Sequence, residues 1–380
     1  MKTIITTVGT SVFTNLTKDG ENDEIKKRFE QLKQKRYSEW ATFESRSIND
    51  RGSRLGLKTL VQNAIKANQK ASAEIESILK IAKDEKVNIH LLATDTVLSV
   101  LAAQIIVEWE WLDGKQKITF NPTYEQDVIK DLQVENLMDF KKGLRNLVER
   151  FYKIYGTNPN PKDYILNITG GYKGIIPFMT LLGQMTKIDI NYKFEETGSL
   201  IEIPRLPIKR DDELFDEHFE VFQEIEEEVE IEGSKYYAFV QKAESCLETF
   251  NNGKTYTLNA LGLVFWEDYK NEYFNFYCSD DVWSTIQKQN DISRILATKL
   301  YDKKQRISKN KVEREHKTMF KDGNNDNRIY YFEKGQTVYI YKTFENHAKH
   351  EIFLKTPFNN DIKQEIIKNS KPRKIKINHV

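Results

Sequence analysis

The chain has 380 residues, enough for two or three domains each with its own core, and is 39% hydrophobic, 30% charged and 12% aromatic with a formal net charge of +1. Its only cysteines, Cys246 and Cys278, stand in no CxxC or Cys/His spacing, which excludes a disulfide scaffold and gives no sign of a zinc or other metal site. The opening MKTIITTVGT lacks the features of a signal peptide and no stretch reaches the roughly 18 apolar residues of a membrane span, so a cytoplasmic protein with no membrane partner is expected.

From the N-terminus, strand-like apolar runs alternate with helical ones. Strands are expected at 3–9, 88–94, 117–123, 163–171 and 189–195, and helices around 70–83, 96–109, 136–153 and 174–186. This alternation predicts an α/β fold with a mostly parallel sheet, in which ligands bind beyond the carboxyl ends of the strands. Three such ends carry small polar residues or glycine: Thr7, Gly9, Thr10 and Ser11; then Thr94, Asp95 and Thr96; then Thr169, Gly170, Gly171 and Lys173. Glycine lets the backbone approach a phosphate, hydroxyls and amides donate to its oxygens, and the following helix adds its positive end. One such loop reads as a turn or a cap, but three on one sheet edge suit a nucleotide. The spacing is neither G-x-G-x-x-G nor GxxxxGK[ST], which disfavours a dinucleotide or ATP.

The segments IITTVGTSVFTN, LLATDTVLSVLAAQII, YILNITGGYKGIIPFMTLLGQM and IEIPRLPI, in that order, resemble the signatures of the CARF domains of type III CRISPR ancillary effectors. The resemblance covers residues 1–207 and implies a Rossmann-like domain. It further implies a homodimer that binds cyclic oligoadenylate, most often cyclic tetraadenylate (cA4), across its two-fold axis as an allosteric activator. Lys173 would then contact a phosphate, with Thr10, Ser11 and the backbone of Gly170 and Gly171 beside it. Some CARF domains also cut their activator by 2′-OH attack, so the resemblance leaves a ring nuclease activity open.

Residues 208–285 read as a helical or winged-helix-like linker. The stretch 211–232 holds twelve acidic residues and no lysine or arginine, with apolar Leu214, Phe215, Phe219, Val221, Phe222 and Ile225 at roughly helical intervals, which predicts an amphipathic acidic connector helix. Further on, Tyr236, Tyr237, Phe239, Trp266 and Tyr269 read as core rather than as a partner surface.

Residues 286–380 form the third expected domain. Residues 301–380 carry 19 Lys/Arg against 10 Asp/Glu, a formal +9, and four of the six histidines, a balance suited to polyanions. VWSTIQKQNDISRILATKLYDKK predicts a helix, and NRIYYFEKGQTVYIYKTFENH two strands joined by a tight turn at EKGQ. This order, with its basic and histidine segments, resembles the small α+β fold of RelE/HigB toxins, which cut messenger RNA on the ribosome. The resemblance covers about residues 285–356. It implies that Arg328 stabilises phosphate charge and that His347 is an acid or base, whereas Phe353 stands where RelE has a tyrosine.

RNA cleavage by its own 2′-OH needs a base, an acid and cations but no metal. Lys311, His316 and Lys317, expected on one strand, Arg328 on the next, and His347, Lys349 and His350 at the end of the last are the candidate catalytic set. The terminal KNSKPRKIKINHV reads as an RNA contact or a solvated tail. A HEPN ribonuclease is disfavoured, because the only Arg/His pair at suitable spacing in the last third is Arg373 with His379. A metal-dependent PD-(D/E)xK nuclease has only the isolated DxK triplets at Asp302 and Asp361, and a cyclic-oligoadenylate-dependent transcription regulator lacks a basic recognition helix in residues 208–285. The expected function is therefore a cA4-activated endoribonuclease, an mRNA interferase of antiviral defence.

Overall fold

The computed structural model describes the chain apart from residues 19–21, 68–69, 71, 110, 112–114, 157–158, 195–196, 229, 309, 314–315, 321–326, 336, 345–346 and 378–380. The chain divides into two compact units, one made of residues 1–210 with 240–265, the other of 211–239 with 266–380. The middle segment 208–285 is thus shared between the two units.

The first unit is built on β1 (Lys2–Val8), β2 (Val87–Thr94), β3 (Gln116–Thr119), β4 (Val128–Ile129), β5 (Tyr164–Asn167), β6 (Asp189–Lys193) and β7 (Leu200–Ile203). Its helices are α1 (Ser11–Leu16), α2 (Asp23–Leu32), α3 (Trp40–Phe43), α4 (Leu57–Ala67), α5 (Ala73–Ala82), α6 (Val97–Val107), α7 (Leu137–Tyr155) and α8 (Ile176–Thr186). The sheet order is β3-β2-β1-β5-β6-β7, with β4 beside the end of β2. All pairings are parallel except β6 with β7. The expected α/β alternation is present, and helices α1 to α4 are an addition that the strand and helix expectations did not include. β1 and β2 are buried along most of their length because helices cover the sheet. α6 buries nine of its eleven residues, so its apolar run is core rather than one face of a surface helix.

A buried charge network ties α7 to the sheet. Asp127 is 1% exposed and accepts from Asn121 N–H at 2.6 Å, while His90 Nε2 and an Arg150 terminal nitrogen each lie 2.7 Å away. Burial pushes this carboxyl up, but the hydrogen bonds from His90, Arg150 and the Asn121 amide outweigh it and hold it below the usual aspartate range. A depressed carboxyl stabilises the fold above its unfolded pKa of about 3.9, and the contribution fades as pH falls through the folded value. Arg150→Met is expected to cost about 3–5 kcal/mol at pH 7, since it leaves a buried carboxylate short of a partner. Urea midpoints check this, with the gap to the unaltered protein narrowing in acid where Asp127 protonates.

The expected acidic connector helix is two helices, α9 (Asp212–Glu217) and α10 (Phe219–Glu228), because His218 leaves the helical conformation at φ −115° and ψ 23°. After β8 (Ile231–Glu232) come α11 (Tyr237–Lys242), the antiparallel hairpin β9 (Leu247–Phe250) with β10 (Thr255–Leu258), and α12 (Ala260–Asn271). In the second unit Phe215 and Phe222 each stack on Trp266, with ring centroids 6.0 and 5.1 Å away, and Trp266 and Tyr269 are fully buried. The core reading holds for Phe239, Trp266 and Tyr269, whereas Tyr237 is 68% exposed and Tyr236 bonds Glu224.

The second unit also holds β11 (Tyr273–Cys278), α13 (Asp280–Lys288), α14 (Asn290–Ile295), α15 (Lys303–Ser308), β12 (Asn310–Glu313), β13 (His316–Phe320), β14 (Arg328–Lys334), β15 (Thr337–Phe344), α16 (His347–Phe353), α17 (Asn360–Asn369) and β16 (Lys371–Lys376). Its sheet order is β12-β13-β14-β15-β11-β16, antiparallel except where β11 meets β15. Phe276, Ile286, Ile292, Leu296, Ile329 and Ile340 form the core between one sheet face and α13–α14. Phe332, Tyr339 and Phe358 pack on the other face with Ile362 and Ile366 of α17. The expected hairpin is present, with Lys334 opposite Thr337 and Gly335 at φ +62° supplying the left-handed residue that such a turn needs.

Three expectations for this unit are corrected. The single helix over VWSTIQKQNDISRILATKLYDKK is broken at Gln289, which is extended at φ −112° and ψ 92°. NKVEREHKTMF is a pair of antiparallel strands rather than one, with Lys311 opposite Thr318 and Val312 opposite Lys317. The stretch KPRKIK is neither a tail nor fully solvated. It is the edge strand β16, paired with β11 from Lys371 opposite Cys278 to Lys376 opposite Tyr273. Its cations are held by acids: Lys371 and Arg373 by Asp280, Lys374 by Asp216, and Lys376 by Glu272 at 3.6 Å.

Candidate functional site

In the first sheet the strand order reverses on the two sides of β1, whose neighbours are β2 and β5. The crevice beyond the carboxyl ends at such a reversal is where open α/β sheets bind ligands. The loops after β1, β2 and β5 that carry the candidate ligand residues all open on this edge.

The loops after β1 and β5 touch through their backbones. Thr7 Oγ1 donates to the Gly170 carbonyl at 2.6 Å. A Cβ on Gly170 would lie 2.4 Å from the Thr7 carbonyl oxygen, and one on Gly9 would lie 2.6 Å from the Gly171 nitrogen. Gly171 has φ +92°, a conformation that favours glycine. The glycines therefore serve first to seat one loop on the other. Thr169 Oγ1 donates to Asn167 Oδ1 at 2.7 Å and accepts from Lys193 N–H at 2.9 Å, which fixes the turn out of β5.

Glu74, in the first turn of α5, was not legible as a site residue. It is 1% exposed, and it accepts from Gly9 N–H at 2.9 Å and from the Ser11 hydroxyl. Two donors expected for a ligand are thus engaged by the protein. The backbone carbonyl of Thr10 accepts from Phe13 N–H at 3.0 Å and Thr14 N–H at 3.1 Å, starting α1. Lys173 is exposed at the start of the single 3-10 turn ahead of α8.

At the end of β2, Thr96 caps α6 by accepting from Ser99 N–H at 3.2 Å and lies 3.2 Å from Thr94 Oγ1. Tyr172, from the β5 loop, is hydrogen-bonded to Thr94 and Thr96, and burial pushes its phenol up. Asp95 is 2% exposed and accepts from the Tyr124 hydroxyl at 2.7 Å and Asp131 N–H at 3.1 Å. Burial outweighs these bonds and pushes the Asp95 carboxyl up. Asp95 thus joins loops rather than facing solvent, and its neighbour Arg36 pairs with Asp139.

In the second unit the candidate residues fall into two groups. Lys311 lies on β12, His316 and Lys317 on β13, and His347 and Lys349 in α16, a helix where a strand end was expected. The side chains of these five lie outside the described residues. Arg328 begins β14, partly buried, and its Nη1 donates to the Asn327 carbonyl at 3.1 Å. His350 is 2% exposed, with its ring centroid 5.8 Å from that of Tyr330 and 6.4 Å from that of Phe344. Phe353 lies 5.0 Å from Tyr330 in the same aromatic group. Arg328 and Tyr330, two apart on β14, share a sheet face, so this group adjoins the arginine.

Among the described residues no helix is long and apolar enough to cross a membrane. No curated protein matches the chain. Residues 69–206, less than half of the chain but including Glu74, β2, β5 and Lys173, match the model of a family described as CRISPR-associated protein (Cas_APE2256), and this similarity supports a CRISPR-linked protein.

Proposed function

We propose that this protein is a ribonuclease of type III CRISPR defence, switched on by cyclic oligoadenylate, with cyclic tetraadenylate as the activator. The observation that carries the reading is the edge at the sheet reversal, where two glycine loops and exposed Lys173 meet inside or beside the segment that matches a CRISPR-associated family. Two copies would each offer this edge to half of a two-fold ring, as an isologous dimer requires. Lys173 would neutralise a phosphate.

The second unit is proposed to cut messenger RNA on the ribosome without metal. Its helix-then-hairpin order and the parallel pairing of β11 with β15 support a RelE-like sheet. In the reaction a base takes the 2′-OH proton, the 2′ oxygen bonds to phosphorus, the P–O5′ bond breaks, and an acid protonates O5′. Arg328 would balance the charge on the phosphorane, and His347 would serve as acid or base, with Lys311, His316, Lys317 and Lys349 as the remaining cations. His350 needs a rearrangement of α16 to reach RNA, since it is buried. The full chain is incubated with cyclic tetraadenylate and EDTA, with naked RNA or translating ribosomes. Cleavage of ribosome-bound messenger in EDTA is expected. A strict Mg²⁺ requirement, or DNA retention without cleavage, overturns the proposal in favour of a metal nuclease or a regulator.

A further inference from the structure

Glu74 is a buried charge at the strand edge that the proposed chemistry does not use. It sits near the start of α5, which Ser72 caps by accepting from Ile75 N–H at 3.2 Å. Besides Gly9 N–H and Ser11, its carboxylate accepts from the Ser72 hydroxyl at 3.2 Å, and Ser11 Oγ in turn accepts from Ala73 N–H at 3.0 Å. A Cβ on Gly170 would lie 2.5 Å from Glu74 Oε1, so the same carboxylate also rests against the β5 loop. Its described hydrogen bonds come from an amide and two hydroxyls, neutral groups that bring no counter-charge.

An amide and a hydroxyl at the end of a strand are what a phosphate oxygen seeks. Here they already hold a resident anion. A second anion brought to the β1 loop is repelled, and a partly buried site screens that repulsion less than water does. The penalty grows with ligand charge. A phosphodiester carries one negative charge, whereas a terminal phosphate monoester carries about 1.5 to 2 at pH 7.

We propose that Glu74 is a selectivity residue: its carboxylate keeps terminal phosphate monoesters away from the β1 loop and reserves the edge for phosphodiesters held from the Lys173 side. A closed oligonucleotide ring has only diesters, so this selects the closed signal over its linear, end-phosphorylated relatives. The inference rests on the reading of this edge as a nucleotide site and deepens it.

The test is a binding titration on the full chain with three probes: cyclic tetraadenylate, linear tetraadenylate with a free 5′-OH, and the same linear chain with a 5′-phosphate. The two linear probes differ only in the monoester, so their affinity ratio isolates its charge. In the unaltered protein the 5′-OH form is expected to bind about tenfold tighter, equal to about 1.4 kcal/mol. Glu74→Gln keeps the shape and still accepts from Gly9 N–H, and it is expected to bring the two linear probes within about twofold of each other. A merely structural role would weaken both alike and leave the ratio unmoved, which overturns the inference. Equal binding of the two linear probes by the unaltered protein overturns it as well, whether or not the variant folds, and leaves the nucleotide reading standing if the ring binds. Failure of the unaltered protein to bind any of the three removes that reading and this inference together.

Discussion

Arg328→Ala is expected to lower activator-dependent RNA cleavage by about 10²–10³-fold, the usual loss when one preorganised group facing developing charge is removed. Arg328 opens β14 with Phe320 of β13 on one side and Phe344 of β15 on the other, so the sheet sets its backbone. Its partial burial beside the Tyr330 aromatic group lowers the local dielectric and strengthens any contact with a phosphorane. Arg328→Lys should recover little of the loss, because lysine lacks the planar fork that meets two phosphate oxygens. Single-turnover cleavage with saturating activator is the measurement, run beside activator binding, which should be unchanged. Cleavage by the alanine variant at the rate of the unaltered protein would remove Arg328 from the chemistry.

Gly170→Ala is the second large effect, and it concerns the fold as well as the ligand. The added methyl would meet the Thr7 carbonyl oxygen at 2.4 Å and Glu74 Oε1 at 2.5 Å, both held by neighbouring structure. Thr7 would also lose its hydrogen bond to the Gly170 carbonyl if the loop moved away. Overpacking of this kind costs about 1–3 kcal/mol or more. Loss of the loop contact is expected to abolish binding of cyclic tetraadenylate. Denaturant midpoints and ligand titration separate the two consequences.

The parallel sheet was legible because its strands are short apolar runs with helices between them, a pattern that survives without knowledge of partners. β1, β2, β5 and β6 fall where hydrophobic periodicity puts them. The loop residues at the strand ends were legible as a group, but the reason for their glycines was only half visible. Sequence shows that a backbone must come close, not that the visitor is the neighbouring loop. Glu74 was hidden for a related reason: its partners, Gly9 and Ser11, are more than sixty residues away, and an acid in a helix's first turn looks like an ordinary dipole partner. In the second unit, YFNFYC is too short an alternation to stand out from the helical patterns around it, and only its pairing places β11 between β15 and β16. The basic β16 is indistinguishable in sequence from a solvated tail, because charge runs usually solvate, while here Asp216, Asp280 and Glu272 hold the cations along an edge strand.

The position of β11 has a consequence for the birth of the protein. This strand is made early in the second unit, yet its partners β15 and β16 begin at Thr337 and Lys371. Synthesis proceeds at about 5–20 residues per second, and sheets closed by distant pairs form slowly. The proposed cutting unit therefore stays incomplete until residue 376 has left the exit tunnel, whereas the strands of the first sheet are all made by residue 203. A nascent chain would complete the strands of its first sheet well before those of its second.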